Sequence, residues 1–330
     1  MNTHGRIFRV SIFGESHGPG LGVLIDGVPP GIPLSPDDFA EDLSRRHPGG
    51  PGTTPRKEND RPIIRGGLFN GHSTGAPLMI EFENANVDSS AYEKNRSLPR
   101  PGHADWAVRF KYSGYNDYRG GGHTSGRLTL GLVAAGVVAK TIIHPMIVKA
   151  DILEIGGTQE YEGAIRSAIE AGDSVGGIVE CSIRGVPPGL GEPFFDSLES
   201  TISHAAFSIP AIKGLEFGVG FACARMRGSQ MNDPILDSEG RTASNNSGGI
   251  NGGISNGNEI VFRVAVRPAS SISIAQETVN METGTRETLE VRGRHDAALA
   301  LRVPPVLEAA TAIALADALL IRQTQYPQRT

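Results

Sequence analysis

Gly27-Val-Pro-Pro-Gly31 and Gly185-Val-Pro-Pro-Gly189 are the same five residues, 158 positions apart. Each copy follows an apolar run that reads as a strand, residues 22–26 in the first case and 177–184 in the second. Each also precedes a helix-like segment with an acidic start. The first start is Ser35-Pro36-Asp37-Asp38, an N-cap with proline in the first turn. The second is Asp196-Ser197-Leu198-Glu199, which reads as a capping box with Asp196 in the cap position. A further pair recurs in the same order: His72-Ser-Thr-Gly75 leads into a strand at 78–82, and Ile254-Ser-Asn-Gly257 into one at 260–266. The double recurrence implies an internal pseudo-repeat. Two similar β-rich halves, roughly 1–150 and 151–330, then form one domain spanning 1–330.

Helix candidates lie between these strands. Residues 124–143 are small and apolar on all sides, as suits a buried helix; 161–171 are amphipathic; 304–322 open on prolines and run through closely spaced alanines. Strands and helices mix without strict βαβ alternation, so the expected class is α+β, with antiparallel sheets packed on a helical core. Residues 238–258, dense in glycine, asparagine and serine, read as a long loop.

Composition narrows the function classes. Glycine supplies 43 of 330 residues, close to double the usual ~7%, which signals turns and close backbone approaches. The apolar stretch 130–139 is too short to cross a bilayer, and the first nine residues lack the apolar run of a signal peptide. Cys181 and Cys223 cannot build a disulfide scaffold or a cysteine zinc cage. No H-x-H or H-E-x-x-H spacing occurs, so no metal site is expected. With 31 basic against 36 acidic residues the net charge is −5, which argues against nucleic-acid binding. A cytoplasmic enzyme without a membrane segment fits these features. Basic clusters nonetheless stand at Arg45, Arg46, His47, Arg56, Lys57 and Arg61, at Arg100, His103 and Arg109, and at Arg292, Arg294 and His295.

Four short motifs carry candidate chemistry. Gly14-Glu-Ser16-His17-Gly18 formally matches G-x-S-x-G, but a nucleophile elbow needs a helix next, and the following residues read as turn and strand. Arg100-Pro-Gly-His103-Ala-Asp105 places an imidazole in a rigid turn beside an arginine, where it can move protons near neutrality. Tyr118-Arg-Gly-Gly-Gly-His123-Thr124-Ser125-Gly-Arg127 lets backbone amides approach a ligand at the start of the long helix, an arrangement that favours phosphate. It lacks the Gly-Lys-Ser/Thr ending of a Walker loop. Gly293-Arg294-His295-Asp296 adds a carboxylate beside a basic pair. Arginines, glycine amides, two histidines and one aspartate together suit a small polyanion plus a phosphorylated cofactor.

At these residues the sequence resembles the chorismate synthase family over nearly its whole length. The resemblance is carried by Gly14-Glu-Ser-His-Gly18, Asp26-Gly-Val-Pro-Pro-Gly31, Arg100-Pro-Gly-His-Ala-Asp105, Arg119-Gly-Gly-Gly122, Ser208-Ile-Pro-Ala-Ile-Lys-Gly214, Gly248-Gly-Ile-Asn-Gly-Gly253 and Arg294-His-Asp296, in family order. It implies a helical core layer sandwiched between two antiparallel β-sheets, and a homotetramer. It also implies a 1,4-anti elimination of phosphate from 5-enolpyruvylshikimate 3-phosphate to give chorismate, with reduced FMN (FMNH2) as cofactor. This reaction is the last common step toward the aromatic amino acids. NADPH enters only where the protein reduces its own flavin; an external flavin reductase is the other source of electrons. By position, the resemblance makes His17 the group that protonates the reduced flavin. His103 assists the leaving phosphate, and Asp296 helps the flavin nitrogen act as base. Ser16, Arg46, Arg100, Ser125, Arg127 and Arg294 match substrate-contacting positions. His123, Thr124, Ser125, Ala211, Gly252, Arg267, Pro268, Ala269, Ser270, Ser271 and Arg294 match the flavin side.

The chain also departs from the pattern. The family's Arg-Ser-Ser-Ala-Arg-Glu becomes His123-Thr-Ser-Gly-Arg-Leu128, and its Arg-x-Pro-Gly-x-Gly-Arg becomes His47-Pro-Gly-Gly-Pro-Gly52. Lys-Pro-Thr-Ser-Ser becomes Arg267-Pro-Ala-Ser-Ser271. The proton-transfer trio is kept while part of the anion cradle changes. The alternative reading is therefore a divergent homologue with altered substrate or cofactor preference or reduced activity.

Overall fold

A computed structural model describes residues 2–53, 59–85, 89–291 and 296–325. In the first half, β1 (Thr3–His4), β2 (Arg9–Gly14), β3 (Gly20–Asp26), β4 (Ile63–Gly66) and β7 (Leu78–Glu83) form an antiparallel sheet in the order β1-β2-β3-β7-β4. The short pair β5 (Leu68–Phe69) and β6 (His72–Ser73) stands beside it. In the second half, β8 (Ile147–Ile155), β9 (Gly177–Arg184), β10 (Ile212–Phe217) and β13 (Ile260–Val266) form another antiparallel sheet, ordered β10-β13-β9-β8. Two further hairpins are β11 (Ile250–Asn251) with β12 (Ile254–Ser255), and β14 (Gln276–Val279) with β15 (Arg286–Leu289).

Side-chain alternation gives each large sheet one buried face. Leu78, Ile80 and Phe82 of β7 point into the core, as do Ile260, Phe262, Val264 and Val266 of β13. The helices are α1 (Ala40–Arg46), α2 (Ser90–Lys94), α3 (Asp105–Lys111), α4 (Thr129–Ile143), α5 (Glu162–Ala171), α6 (Leu198–Phe207), α7 (Gly228–Met231) and α8 (Val303–Gln325). Helix α4 packs on β3 and on α8, and α8 packs on β8 and β9. Both helices are therefore apolar almost all round. Segments 126–143 and 299–325 are long and apolar enough to span a bilayer, contrary to the expectation from 130–139, yet 72% and 67% of their apolar windows are buried inside the molecule. Their apolarity is accounted for by core packing.

Buried charges tie the layers together. Glu308 of α8 takes two hydrogen bonds of 2.7 Å from Arg45, one of 3.0 Å from Lys140 and one of 3.0 Å from the Ala150 amide. Burial opposes its charge, but these partners prevail and hold its carboxyl below the ordinary range. Asp317, also on α8, accepts from the amides of Arg6, Ile7 and Phe8 at 2.7–2.9 Å and so fixes the entry into β2.

The two Gly-Val-Pro-Pro-Gly segments carry matching bonds. Ser73 Oγ accepts from the Ile32 amide at 2.9 Å and donates to the Pro29 carbonyl at 2.6 Å. Ser255 Oγ accepts from the Leu190 amide at 2.9 Å and donates to the Pro187 carbonyl at 2.7 Å.

Some local expectations change. The long helix begins at Thr129, because Gly120, Gly121 and Gly122 have φ of 59°, 82° and 52° and Ser125 is extended. The cap of α6 is Ser197, which accepts from the Ser200 amide; Asp196 turns instead to Arg6 at 2.7 Å. Residues 238–258 contain β11 and β12. The segment before them is pinned by Asp233, which accepts from Ser244 Oγ and the amides of Asn246 and Ser247. Ser35 stands at the N-cap position with Pro36 next, as expected, and Asp38 closes the turn by accepting from the Ser35 amide and hydroxyl.

Helices α4 and α8 approach closely at Gly136. A Cβ placed there would lie 2.3 Å from Ala309 Cβ and 2.5 Å from its Cα. Gly136→Ala should therefore lower stability by about 1–3 kcal/mol from overpacking, against a helix-propensity gain of about 1 kcal/mol. Urea unfolding measures the balance; an unchanged or raised midpoint would contradict the tight contact.

Candidate functional site

The turn between β2 and β3, residues 15–19, is where the first sheet meets the glycine run. After Gly18 the chain enters β3, with no helix, so the nucleophile-elbow geometry is absent. Asn84 staples this turn, donating to the carbonyls of Glu15 at 3.1 Å and Gly18 at 2.9 Å. The Ser16 amide donates to the Gly122 carbonyl at 3.2 Å, and His123 Nδ1 lies 2.8 Å from the Gly14 carbonyl. A carbonyl only accepts, so His123 carries its proton on Nδ1. Ser16 and His17 are both buried. His17 Nδ1 is 3.0 Å from Ser89 Oγ, and its ring meets Tyr92 edge-on at 5.1 Å.

The glycine run fits between two imidazoles. A Cβ on Gly120 would stand 2.4 Å from His17 Cδ2 and 2.6 Å from Nε2. A Cβ on Gly121 would stand 3.3 Å from His103 Cε1 and 3.5 Å from Nε2. At Gly120 a side chain would collide with the ring, and at Gly121 the approach is tight and the backbone, with φ of 82°, favours glycine. His103 is held from its other edge. Its Nδ1 lies 2.7 Å from Asp105 Oδ1, and Arg100 grips the same carboxylate through Nε at 2.7 Å and Nη2 at 2.8 Å. Burial opposes charge on Asp105, but the bonds from Arg100 and His103 outweigh it and keep the carboxyl well below the usual range. Arg100 Nη1 also donates to Ser271 Oγ at 3.0 Å and Nη2 also faces His103 Nδ1 at 3.1 Å, which leaves one N–H, on Nη1, for a ligand.

A second cluster gathers around Asp60, which is buried. Arg127 Nη1 lies 3.0 Å from it, His47 Nε2 3.1 Å and Arg46 Nη1 3.8 Å. Arg127 Nε donates to Asn84 at 2.7 Å, linking this cluster to the staple of the His17 turn. Arg46 is nearly fully buried and is tied by Nε to Thr129 Oγ1 at 3.0 Å and by Nη2 to the Gly126 carbonyl at 2.9 Å. Burial and the neighbouring Arg302 push its guanidinium down to about 9, so it still carries charge at neutral pH. Arg302 reaches Asp296 at 3.2 Å, beside the same cluster.

These groups border one cavity of about 1560 Å³, larger than the ~300–1,000 Å³ usual for one small ligand. Its described lining holds seven arginines against four carboxylates, a surplus that suits polyanions. The structure brings Ser16, His17, Arg46, Arg100, His103, His123, Thr124, Ser125, Arg127, Ala211, Arg267, Ala269, Ser270, Ser271 and Asp296 to it. Ala211 has φ of +79°, strained for a residue with a Cβ, and its carbonyl accepts from the Arg267 amide at 2.9 Å, which joins the segments around 211 and 267–271. Gly252, exposed on the β11–β12 hairpin, and Pro268 do not border the cavity. Arg119 folds back on Asp117 at 2.8 Å and does not line it either. Arg294 lies outside the described residues, as do Arg56, Lys57, Arg292 and His295. Among the described residues no group of His, Cys, Asp or Glu could hold a metal ion.

Sequence reasoning assigned no role to Asp60, Asn84, Tyr92, Asp105 or Arg302. One signal was available: Asp60 is an acidic residue set inside the basic stretch that runs from Arg45 to Arg61. A buried charge cluster needs such a counter-ion.

Comparison with known proteins gives a consistent family. The family model described as chorismate synthase matches residues 8–320. The chain is 61% identical over 324 residues to the chorismate synthase of Chitinophaga pinensis, covering 98% of each chain. It is 44% identical over 348 residues to that of Pyrococcus abyssi, covering 97% of this chain and 98% of the other. A crystal structure of chorismate synthase superposes with a TM-score of 0.75 at 29% identity, covering 97% of this chain and 93% of that one.

Removing Asp60 would leave the buried guanidiniums of Arg46 and Arg127 without their shared counter-charge. Asp60→Ala should cost about 3–5 kcal/mol of unfolding free energy, the usual penalty for breaking a buried ion pair from one side. A loss below about 1 kcal/mol in urea unfolding, the range of surface pairs, would show that the cluster is effectively solvated.

Proposed function

The chain belongs to the chorismate synthase family, and from that premise we propose that it converts 5-enolpyruvylshikimate 3-phosphate to chorismate and inorganic phosphate by 1,4-anti elimination. The observation that carries this reading is the pair His17 and His103 against adjacent glycines, Gly120 and Gly121, at one arginine-lined cavity. The divergent-homologue alternative is not favoured. The altered segments occur in a chain 61% identical, over 98% of its length, to a chorismate synthase.

The reaction pairs a leaving phosphate with loss of a ring proton. His103, accessible from the cavity and oriented by Asp105, delivers a proton to the leaving phosphate. Ser16, Arg46, Arg100, Ser125, Arg127 and Arg294 form the substrate set. Within it, Arg46 acts chiefly by holding the 126–129 backbone, since its Nε and Nη2 are already engaged there. Arg100 has one N–H, on Nη1, to offer an anion. Asp296 supports the base, a reading favoured by its position at the cavity and its bond from Arg302.

Reduced FMN supplies transient electron donation when bound. The residues present fit such a group. The cavity exceeds the needs of the substrate alone, the segments at Ala211 and at Arg267, Ala269, Ser270 and Ser271 are joined by a hydrogen bond, and His123, Thr124 and Ser125 line the same cavity. His17 holds the proton on the flavin side of the glycine run. Gly252 reaches a flavin only from a second copy in the proposed homotetramer. Pro268, also in the flavin set, positions its neighbours Arg267 and Ala269. The electrons come from an external flavin reductase, or from NADPH if the protein reduces its own flavin.

The proposal extends to architecture and location. The chain forms one domain over 1–330, a helical layer sandwiched between two antiparallel sheets, with pseudo-repeat halves 1–150 and 151–330. The matched bonds of Ser73 and Ser255 support the repeat. The free cysteines Cys181 and Cys223 are compatible with a reducing cytoplasm.

Anaerobic turnover with dithionite-reduced FMN should release phosphate and chorismate in equal amounts. His103→Ala should lower kcat roughly 100- to 10,000-fold. Absence of product from folded protein at high enzyme concentration would contradict the assignment.

A further inference from the structure

Asp105 starts helix α3, two residues after His103, and four hydrogen bonds converge on its carboxylate. Oδ2 accepts from the Arg100 amide at 3.1 Å and Arg100 Nε at 2.7 Å; Oδ1 accepts from Arg100 Nη2 at 2.8 Å and faces His103 Nδ1 at 2.7 Å. Arg100 Nη2 also lies 3.1 Å from His103 Nδ1. A guanidinium only donates and a carboxylate only accepts, so Nδ1 can satisfy one of the two contacts. The shorter one is to the carboxylate. Nδ1 therefore carries the proton, and Nε2 is the nitrogen left on the Gly121 side.

We propose that Asp105 is a positioning residue for His103, holding the imidazole in the Nδ1–H tautomer so that Nε2 is the atom that exchanges a proton with the ligand. The catalytic consequence rests on the elimination proposed above; the tautomer rests on the geometry alone. In the elimination, the carbon–oxygen bond breaks with its electron pair on the phosphate oxygen, the pair of the lost substrate C–H bond completes the new diene while that proton goes to the base that Asp296 supports, and the Nε2 proton moves to the phosphate. The ring is left neutral and still holds its Nδ1 proton against Asp105. While both nitrogens are protonated, the carboxylate 2.7 Å away balances the imidazolium charge.

The arrangement makes Asp105→Asn an informative change. Arg100 presents two donors, its amide and Nε, at the position of Oδ2. With the amide oxygen of asparagine there, two of the three Arg100 donors stay satisfied and only Nη2 is left facing the NH2; the opposite orientation would strand two, so the NH2 turns toward His103 Nδ1. Nδ1 then has to accept, and the proton moves to Nε2. A neutral ring in that state exposes a donor that it can release only by forming an imidazolate.

Two readouts separate this role from a structural one. Ring-nitrogen NMR of 15N-histidine-labelled protein should show His103 protonated at Nδ1 in the unsubstituted chain and at Nε2 in Asp105→Asn. An Nε2–H tautomer in the unsubstituted chain overturns the proposal, even if the variant proves insoluble. The second readout is a double-mutant cycle on kcat. Asp105→Asn should lower kcat roughly 100-fold by itself, the low end of what a general acid contributes, and by less than about threefold when His103 is already alanine. Equal losses in both backgrounds would show that Asp105 acts through Arg100 or the fold and would overturn the proposal. If the unsubstituted chain performs no elimination, the function assignment fails, while the NMR measurement still decides the tautomer.

Discussion

Three successive glycines with left-handed backbone, Gly120, Gly121 and Gly122, are the constraint on which the site depends. They let main chain lie within van der Waals reach of His17 on one side and His103 on the other. The two histidines come from turns far apart in sequence, one between strands of the first sheet and one just before α3. A side chain at Gly120 would collide with the His17 ring, so the approach of the run to that imidazole depends on the absence of a Cβ. The same run delays the start of α4 to Thr129 and leaves Thr124, Ser125 and Arg127 as a separate shoulder of the cavity.

Electrostatics hold that backbone geometry in place. Arg127 joins Asp60 to Asn84, and Asn84 holds the turn that carries Ser16 and His17. Arg100 and Asp105 do the equivalent for His103. In each cluster a carboxylate, buried at Asp60 and half-buried at Asp105, neutralises an arginine without silencing the site, because the described lining keeps more arginines than carboxylates. Such a cavity remains attractive to phosphate and carboxylate groups while its walls stay rigid.

Much of the fold was legible because its strands alternate plainly. The runs at 177–184 and 260–266 agree with β9 and β13 to the residue, and the C-terminal alanine-rich helix extends only slightly beyond 304–322. The start of the long helix was not legible, since local propensity at 124–128 does not reveal that the preceding glycines turn left-handed. The cap of α6 was misassigned by one residue because Asp196 and Ser197 are equally good caps. Arg6, distant in sequence, decides between them by drawing Asp196 away. At the site, the histidines and most arginines stood out through their turn and glycine contexts. Asp60, Asn84 and Arg302 did not, because their importance lies in long-range partners that spacing along the chain does not show.

The claim that the glycine run spaces two proton-handling imidazoles around one ligand site is tested most directly by a crystal structure with FMN and 5-enolpyruvylshikimate 3-phosphate bound. The arrangement described here predicts the phosphate ester within hydrogen-bond distance of His103 Nε2, His17 beside the flavin, and Gly120–Gly122 unmoved between them. Ligands bound away from both histidines, or a glycine run that rearranges to separate them, would contradict it.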